Sequence, residues 1–216
     1  MSTWTIVLAA GRGSRFGGEI PKQYLPLCGR RVIDWSLEVA RLATDGVVLV
    51  VSPDRVDDPE PLADAVTAGG SERSDSVRAG LALLPDDCDV VLVHDGARPM
   101  ASPALYAAVA EAVRSGAAGA IPGIAVTDTI KRVDGAGRVV ETLPRAELVA
   151  VQTPQAFAVD ILRRAHAGAG DATDDAALLE QIGELVAVVP GEIENIKITQ
   201  PDDLDVATSL IRRATD

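Results

Sequence analysis

The sequence predicts an α/β protein with a Rossmann-like, mostly parallel sheet covered by helices on both faces. Apolar runs rich in β-branched residues recur along the chain, and we expect them to be strands. Segments with helical apolar spacing separate these runs, and this alternation is typical of a parallel sheet with both faces covered. The expected strands are Trp4–Leu8, Val47–Val51, Val90–Val93, Ala117–Pro122 and Leu185–Val189.

Three helices are predicted from apolar residues that repeat every three or four positions. The last of them follows Pro201 and two aspartates, which favour the first turn of a helix. The three apolar faces are Ile33, Leu37 and Ala40; Leu105, Val109, Ala112 and Val113; and Leu204, Ala207 and Ile211. Ligands of such sheets bind beyond the carboxyl ends of the strands. We therefore expect the loops at 9–24, 69–76 and 94–99 to line one site.

Length and composition limit the classes of protein. The 216 residues suit one domain, 1–216, with a sizeable core. A net charge of −12 argues against a nucleic-acid partner or a membrane-binding surface. We find no basic leader and no apolar run of about 18 residues, so neither a signal peptide nor a membrane span is expected. Two isolated cysteines, Cys28 and Cys88, fit a reducing cytoplasm.

One segment, 126–145, breaks the alternation of strands and helices. It has two alternating runs around Asp134-Gly135-Ala136-Gly137, which predicts a β-hairpin. Polar residues lie on its outer positions and nothing nearby would cover it. An exposed arm of this kind usually pairs with another chain, so we expect a homodimer joined through it. A solvent-exposed flap on a monomer is the alternative.

The glycine-rich loop after the first strand, within IVLAAGRGSRFGGEIPKQYL, fits neither of two well-known nucleotide motifs. The dinucleotide fingerprint needs a small residue where Phe16 stands and an acid after the second strand, where the chain has Ser52 and Pro53. The ATP-binding loop needs Lys and Ser or Thr where Glu19 and Ile20 stand. The loop therefore binds neither ligand in the usual way.

The charge of this loop still indicates phosphate. Residues 1–33 hold five basic residues against one acid, a local charge of +4 in an acidic protein. Small residues at Ala9, Ala10, Gly11 and Gly13 let backbone N–H groups approach a ligand. Arg15 and Lys22 would add two cations over a nucleoside triphosphate, and Lys22 is one of only three lysines among 20 basic residues. A basic surface turn is the alternative.

Polar residues follow two other predicted strands. Asp95 can meet Mg²⁺ or a sugar hydroxyl, and Arg98 could hold it by a salt bridge. Gly69 and Gly70 allow backbone approach ahead of Asp75 and Ser76, which could also simply cap a helix. His94 has no Ser or Cys partner for a nucleophilic triad, and we interpret it as structural.

Several sequence blocks together resemble a known family. The combination of L-A-A-G-x-G-x-R-F with P-K-Q-Y-L resembles nucleotidyltransferases of the sugar-nucleotide type. The full set runs in order from about residue 4 to 212 and is similar to the 2-C-methyl-D-erythritol 4-phosphate cytidylyltransferase family of the non-mevalonate isoprenoid pathway. The further blocks are GGSERSDSVRAGL, VLVHDGARP, DTIKRV, VQTPQAF, ATDDAALLE and ENIKITQPDDL.

The resemblance implies a role for each matching residue, with Mg²⁺ or another divalent cation as cofactor and CTP and a polyol phosphate as substrates. Arg15 and Lys22 would stabilise the transition state, and Arg145 and Lys197 would hold the nucleophilic phosphate. Asp95 is the predicted metal residue, because a carboxylate at the end of a central strand can meet Mg²⁺. CTP would be held by Ala9, Ala10, Gly11, Gly13, Gly70, Asp75 and Ser76. The polyol phosphate would be held by Asp95, Arg98, Thr129, Arg145, Thr153, Thr173 and Lys197, with Thr129 and Arg145 reaching the neighbour's site.

Two departures from the family and two rival functions stay open at this point. Leu8 stands where the family often has proline, and Ser71 stands where many members have an acid. A ribitol 5-phosphate cytidylyltransferase would use the same loops on a longer polyol. A nucleotide-sensing module without catalysis is the rival from another class, and the presence of Arg15, Lys22 and Asp95 argues against it.

Overall fold

The structure is a computed structural model and describes residues 1–11, 20–168 and 172–215. Its strands are β1 (Ser2–Ala9), β2 (Pro26–Leu27), β3 (Arg30–Arg31), β4 (Gly46–Val51), β5 (Ala65–Ala68), β6 (Cys88–Asp95), β7 (Gly119–Ala125), β8 (Lys131–Val133), β9 (Val139–Thr142), β10 (Val149–Val151), β11 (Gln155–Ala158) and β12 (Val186–Pro190). Its helices are α1 (Val32–Ala43), α2 (Arg73–Leu81), α3 (Pro103–Arg114), α4 (Val159–Ala167), α5 (Asp175–Gln181) and α6 (Asp202–Thr215).

The main sheet has eight strands and confirms the predicted fold class. β1 lies between β4 and β6 and is parallel to both, and β5 extends the parallel part beyond β4. β11 is antiparallel to β6 and β7, and β12 is parallel to β7. After β1 the chain continues into β4 and β5 on one side of β1, and it then returns to β6 on the other side of β1. β1 and β6 therefore flank a switch point, where sheets of this type bind ligands.

β10 and β11 form one interrupted strand along a single side of β7. Gly119 pairs with both β11 and β12, and Gly123 pairs with both β10 and β12. β12 must therefore occupy the opposite side of β7 from the other two strands. The interruption at Gln152, Thr153 and Pro154 places a threonine side chain at the end of β6.

Helices cover both faces of the sheet. Residues of α1 and α3 pack on one face with Val7 and Ala9 of β1. Residues of α2, α4 and α5 pack on the other face with Ile6. The alternation along β1 separates these two cores, as the pleat requires. α6 packs in a third cluster beneath β2, so that the segment before it lies against the ligand edge of the sheet.

All five predicted strands and all three predicted helices are present, and the hairpin at 126–145 is confirmed as well. β8 and β9 pair antiparallel, and Asp134 Oδ1 accepts hydrogen bonds from the amides of Ala136 and Arg138 in the turn. The pairing of this arm with a second chain stays a prediction.

Candidate active site

A cavity of about 810 Å³ opens at the carboxyl ends of β1, β4, β5 and β6. The three loops expected at one site all contribute to it. Its lining includes Ala9, Ala10, Gly11, Lys22, Gln23, Ser52, Gly69, Gly70, Ser71, Glu72, Arg73, Ser76, Asp95, Ala97, Lys197 and Thr199.

The described part of the glycine-rich loop is fixed by Gln23. Its buried side-chain amide donates to the carbonyl oxygens of Ala9 at 2.6 Å and Gly11 at 2.9 Å. This clamp holds the loop backbone against the short helical turn Lys22–Tyr24. Our sequence reasoning missed Gln23, although the position beside Lys22 could have suggested a structural partner. The predictions for Gly13 and Arg15 lie outside the described residues.

Lys22 lies on the cavity wall and is oriented by the opposite side of the site. Its ammonium donates to the carbonyl oxygen of Ile198 at 2.5 Å. Ile198 follows Lys197, so the contact joins the loop after β1 to the segment before α6. The two lysines singled out by the sequence thus reach the same cavity.

Asp95 pairs with Lys197 rather than with Arg98. Lys197 Nζ lies 2.6 Å from Asp95 Oδ2. Burial raises the pKa of this carboxyl, but the charges of Lys197, Arg73 and Arg98 outweigh it, and the pKa is lowered from its ordinary value. The carboxylate is therefore ionised at neutral pH.

The expected salt bridge between Arg98 and Asp95 is wrong for this structure. The Arg98 guanidinium instead donates to the carbonyl oxygen of Asn195 at 2.8 Å. Its buried Nε has no hydrogen-bond partner among the described residues. Burial lowers the pKa of Arg98, and Asp95 opposes this effect. Arg98 thus fastens the loop after β6 to the segment that carries Lys197.

Thr153 and His94 hold the backbone of Asp95. The Asp95 amide donates to Thr153 Oγ1 at 3.0 Å, and Thr153 Oγ1 lies 3.1 Å from His94 Nδ1. His94 Nε2 lies 3.2 Å from the carbonyl oxygen of Arg98. A carbonyl only accepts, so Nε2 carries the proton and Nδ1 accepts from the threonine hydroxyl. The interpretation of His94 as structural stays a prediction, with a defined role in orienting Thr153.

We expect His94 to destabilise the protein as pH falls from about 6.5 to 4. Burial is the main cause that lowers its pKa to about 4. Between these values the unfolded chain binds a proton that the folded chain excludes, so the free energy of unfolding decreases on acidification, by about 3 kcal/mol at the lower limit. Urea unfolding at stepped pH measures this. His94→Asn should remove that part of the slope, and an unchanged slope would contradict the assignment; ¹⁵N NMR of the two histidines reports the Nε2–H tautomer independently.

Gly69 and Gly70 bring the β5 loop close to α2. A Cβ on Gly69 would lie 2.4 Å from Ala10 Cβ, and one on Gly70 would lie 2.2 Å from Asp75 Cβ. Asp75 Oδ2 accepts from the amide of Glu72 at 3.1 Å and from the Ser71 hydroxyl at 2.9 Å. Asp75 therefore caps α2 and is not among the cavity-lining residues, whereas the buried Ser76 lines the cavity.

Arg73, at the start of α2, is a cavity-lining cation that our sequence reasoning missed. Its Nη2 lies 2.8 Å from Oδ2 of the fully buried Asp175. Asp175 Oδ1 accepts from His166 Nε2 at 2.9 Å. The arginine was visible in GGSERSDSV, but its buried partner lies in another sequence block. Thr173, in that second block, is exposed and is not among the cavity-lining residues.

The comparisons with known proteins agree with this geometry. The family model for 2-C-methyl-D-erythritol 4-phosphate cytidylyltransferase matches residues 3–213. The chain belongs to this family. A cytidylyltransferase of this name from Rhodococcus jostii (strain RHA1) is 48% identical over 214 residues, covering 95% of this chain and 93% of the relative. A bifunctional enzyme IspD/IspF from Nitratidesulfovibrio vulgaris (strain DP4) is 46% identical, and this chain spans 57% of its length.

Solved structures of the family share the fold. The 2-C-methyl-D-erythritol 4-phosphate cytidylyltransferase of Thermus thermophilus superposes with a TM-score of 0.82 and 34% identity, covering 96% of this chain and 98% of that one. The 4-diphosphocytidyl-2C-methyl-D-erythritol synthase of Anaerococcus prevotii gives a TM-score of 0.86 with 29% identity, covering 98% and 96%.

The activity follows from family membership. The enzyme is a CTP-dependent cytidylyltransferase that converts 2-C-methyl-D-erythritol 4-phosphate to its CDP-linked form and pyrophosphate in the non-mevalonate pathway. The ribitol phosphate alternative is not favoured. Across the described ranges, no helix is long and apolar enough to cross a membrane.

Two residues assigned by resemblance lie on the arm and not at this chain's own cavity. Thr129 and Arg145 are exposed, and the Arg145 guanidinium donates to the carbonyl oxygen of Thr127. Neither is among the residues that line the cavity.

Asp95 does not fit a direct metal ligand as it stands. Its carboxylate is bound by the Lys197 ammonium, which a cation would have to displace. No group of three or more His, Cys, Asp or Glu side chains suited to a metal occurs in the described part of the chain.

Proposed function

We propose that CTP and 2-C-methyl-D-erythritol 4-phosphate bind together in this cavity and react there. The observation that carries the proposal is the convergence of Lys22 and the Asp95–Lys197 pair with two backbone loops in one cavity. The cavity has the size of a pocket for a substrate-sized ligand. The switch point between β1 and β6 is the expected place for it.

CTP would lie along the loops after β1 and β5. Ala9, Ala10 and Gly11 offer their backbone on one side, and Gly70 and Ser76 lie on the other. Asp75 would act through the loop before α2, because its carboxylate accepts hydrogen bonds from the Ser71 hydroxyl and the amide of Glu72. Gly13 and Arg15 complete the proposed CTP set from the segment 12–19.

The chemistry needs cations more than it needs a base. A phosphate oxygen of the acceptor attacks the α-phosphorus of CTP, and the bond from that phosphorus to the bridging oxygen of the pyrophosphate breaks. The nucleophile is already anionic near neutral pH, so no proton has to be removed. Negative charge gathers on the α-phosphate oxygens and on the leaving pyrophosphate, and we assign Lys22 and Arg15 to its stabilisation.

The acceptor would lie at the Asp95 end of the cavity. Lys197 would hold its phosphate in line for attack, and Asp95 would accept hydrogen bonds from its hydroxyls. Arg98 and Thr153 support this end by fixing the surrounding backbone. Thr173 would close the site from the segment before α5.

Mg²⁺ would arrive with CTP as part of the substrate. Phosphate oxygens are the ligands that it prefers, and Asp95 is engaged by Lys197. Bound in this way, the ion would supply neutralising charge for the leaving pyrophosphate. The same dependence would hold for another divalent cation.

A homodimer would complete the site through the arm, 126–145. Val133, Val139 and Val140 are 55%, 61% and 63% exposed, which is a large apolar exposure for so short a hairpin. An isolated hairpin is marginally stable, so a partner surface would stabilise it. Arg145 and Thr129 would then contact the acceptor in the neighbouring cavity. The proposed compartment is the cytoplasm, with both cysteines free, and the charge of −12 favours no nucleic-acid or membrane partner.

A substrate panel tests the proposed pairing of substrates. We expect rapid pyrophosphate release with CTP, 2-C-methyl-D-erythritol 4-phosphate and Mg²⁺, and a rate at least about tenfold lower with ribitol 5-phosphate, because a longer polyol must lose contacts at the Asp95 end. ATP, GTP and UTP serve as nucleotide controls, and a chelator removes the divalent ion. Equal rates with both polyol phosphates would contradict the assignment, and CTP binding without turnover would favour a sensing module.

A further inference from the structure

Arg73 is a cation in the substrate cavity without an assigned role. It begins α2, directly after the loop that we assign to CTP, and its side chain is 27% exposed. We propose that Arg73 is a further substrate-contacting residue of the cytidylyl transfer and that the buried Asp175 is the positioning residue that holds it. This proposal rests on the placement of both substrates in the cavity.

The Arg73 guanidinium pairs with one carboxylate through one of its nitrogens, and its side chain is partly exposed. An arginine has five N–H donors in a planar fork. Nη2 forms the ion pair with Asp175, and within the described ranges no other carboxylate lies within 4.0 Å of this guanidinium. Arg73 also lines the cavity that we assign to two phosphate-bearing substrates. Phosphoryl oxygens are the acceptors that fit such a fork best.

The surroundings of Asp175 fix the position of the Arg73 guanidinium. Asp175 is fully buried, and an ionised carboxylate in such a place needs compensation on both oxygens. His166 donates to one oxygen and Arg73 faces the other. These three residues come from α4, α5 and α2, so the guanidinium is fixed relative to three helices at once.

The charges around the cavity indicate that its occupant is an anion. Among the described residues, Arg73, Lys197 and Lys22 line the cavity with three positive charges, and Asp95 and Glu72 line it with two negative charges. Lys197 and Asp95 neutralise each other at 2.6 Å. Arg73 lines the same cavity, and its charge contributes to the low pKa of Asp95. A fixed guanidinium at that position suits the phosphoryl group that is transferred.

The test compares Arg73→Gln with a matched arginine outside the cavity. Arg31 pairs with Glu60, whose side chain is 1% exposed, at 2.7 Å, so Arg31→Gln also removes a guanidinium from a buried carboxylate. We expect Arg73→Gln to lower kcat by about 10²-fold, as for loss of one fixed donor to a transition state. Arg73→Lys should recover part of the rate, because it keeps the charge and loses the fork. Arg31→Gln should reduce thermal stability and leave kcat within about twofold.

A double variant separates positioning from folding. Asp175→Asn should lower kcat less than Arg73→Gln does, and Arg73→Gln with Asp175→Asn should be no slower than Arg73→Gln alone, because Asp175 acts through Arg73. Arg73→Gln alone leaves the buried carboxylate of Asp175 without its ion-pair partner, which could unfold the protein. The double variant removes both charges and avoids this problem. The proposal is overturned if the folded double variant keeps the parental kcat, or if Arg31→Gln loses as much. In both cases the proposed function would still be tested separately, by pyrophosphate release from the parent and by the loss of that activity in Lys22→Ala.

Discussion

Lys22→Ala is expected to lower kcat by about 10²- to 10³-fold with little change in the KM for CTP, the usual loss when one fixed donor to a transition state is removed. The ammonium lines the cavity and is oriented by the Ile198 carbonyl, so it is preorganised before substrate arrives. Charge that develops on the phosphoryl oxygens then meets a cation that needs no rearrangement. Initial-rate measurement of pyrophosphate release at varied CTP gives both constants.

The control for Lys22 is a charged residue elsewhere on the surface. Arg41 pairs with Asp64 at 3.3 Å outside the cavity, and Arg41→Ala should leave both constants close to the parent. A rise in KM at unchanged kcat would assign Lys22 to ground-state binding instead. Lys22→Arg is expected to recover only part of the rate, since a planar guanidinium cannot reproduce the compact contact with Ile198.

Arg145→Ala is expected to raise the KM for the polyol phosphate by about tenfold or more, because a charge-assisted contact to a phosphate is lost. Mixing this variant with Lys22→Ala should restore activity. In a mixed dimer one cavity receives its own Lys22 and the partner arm's Arg145, and both are intact. Random exchange of a two-fold dimer makes about half of the dimers mixed, with one working cavity of two. At a polyol phosphate concentration well below the KM of the Arg145→Ala variant, recovery to about a quarter of the parental rate is therefore expected.

The mixing experiment contains its own controls. Each variant alone, refolded or exchanged in the same way, fixes the baseline. A mixture that stays at that baseline while sedimentation shows dimers would overturn the shared site. Deletion of the arm tip at Gly135 and Ala136 should weaken dimerisation while leaving the cavity residues of each chain in place.

Much of the fold was predictable because periodicity is a local property. The apolar runs at Val47–Val51 and Val90–Val93 became β4 and β6, and the helical face of Ile33, Leu37 and Ala40 became the buried side of α1. The interrupted strand β10–β11 was not predicted, because its three- and four-residue segments are too short to show the alternation of apolar and polar residues typical of a strand. α4 and α5 were missed as well, since each has only two turns or so of apolar pattern.

Part of the candidate site was likewise predictable from the sequence, and part of it was not. The sequence motifs identified Lys22, Asp95 and Lys197, and the structure brings all three to one cavity. The predicted partner of Asp95 was wrong. Arg98 was chosen because it is near in sequence, whereas the segment before α6 brings Lys197 Nζ to 2.6 Å from Asp95 Oδ2. Asp75 was assigned to CTP, and its hydrogen bonds place it at the helix cap. Its role toward CTP stays a proposal.

The alternation of strands and helices, the loops that gather at one edge of the sheet, and the family could all be inferred from the sequence alone, since they depend on local spacing and on motifs read in order. Which charges meet could be learned only from the folded chain. The pairs Asp95–Lys197 and Arg73–Asp175 join residues far apart in the chain, and the Gln23 clamp depends on the path of the backbone. Such contacts follow from how the helices pack on the sheet, and no local pattern encodes them.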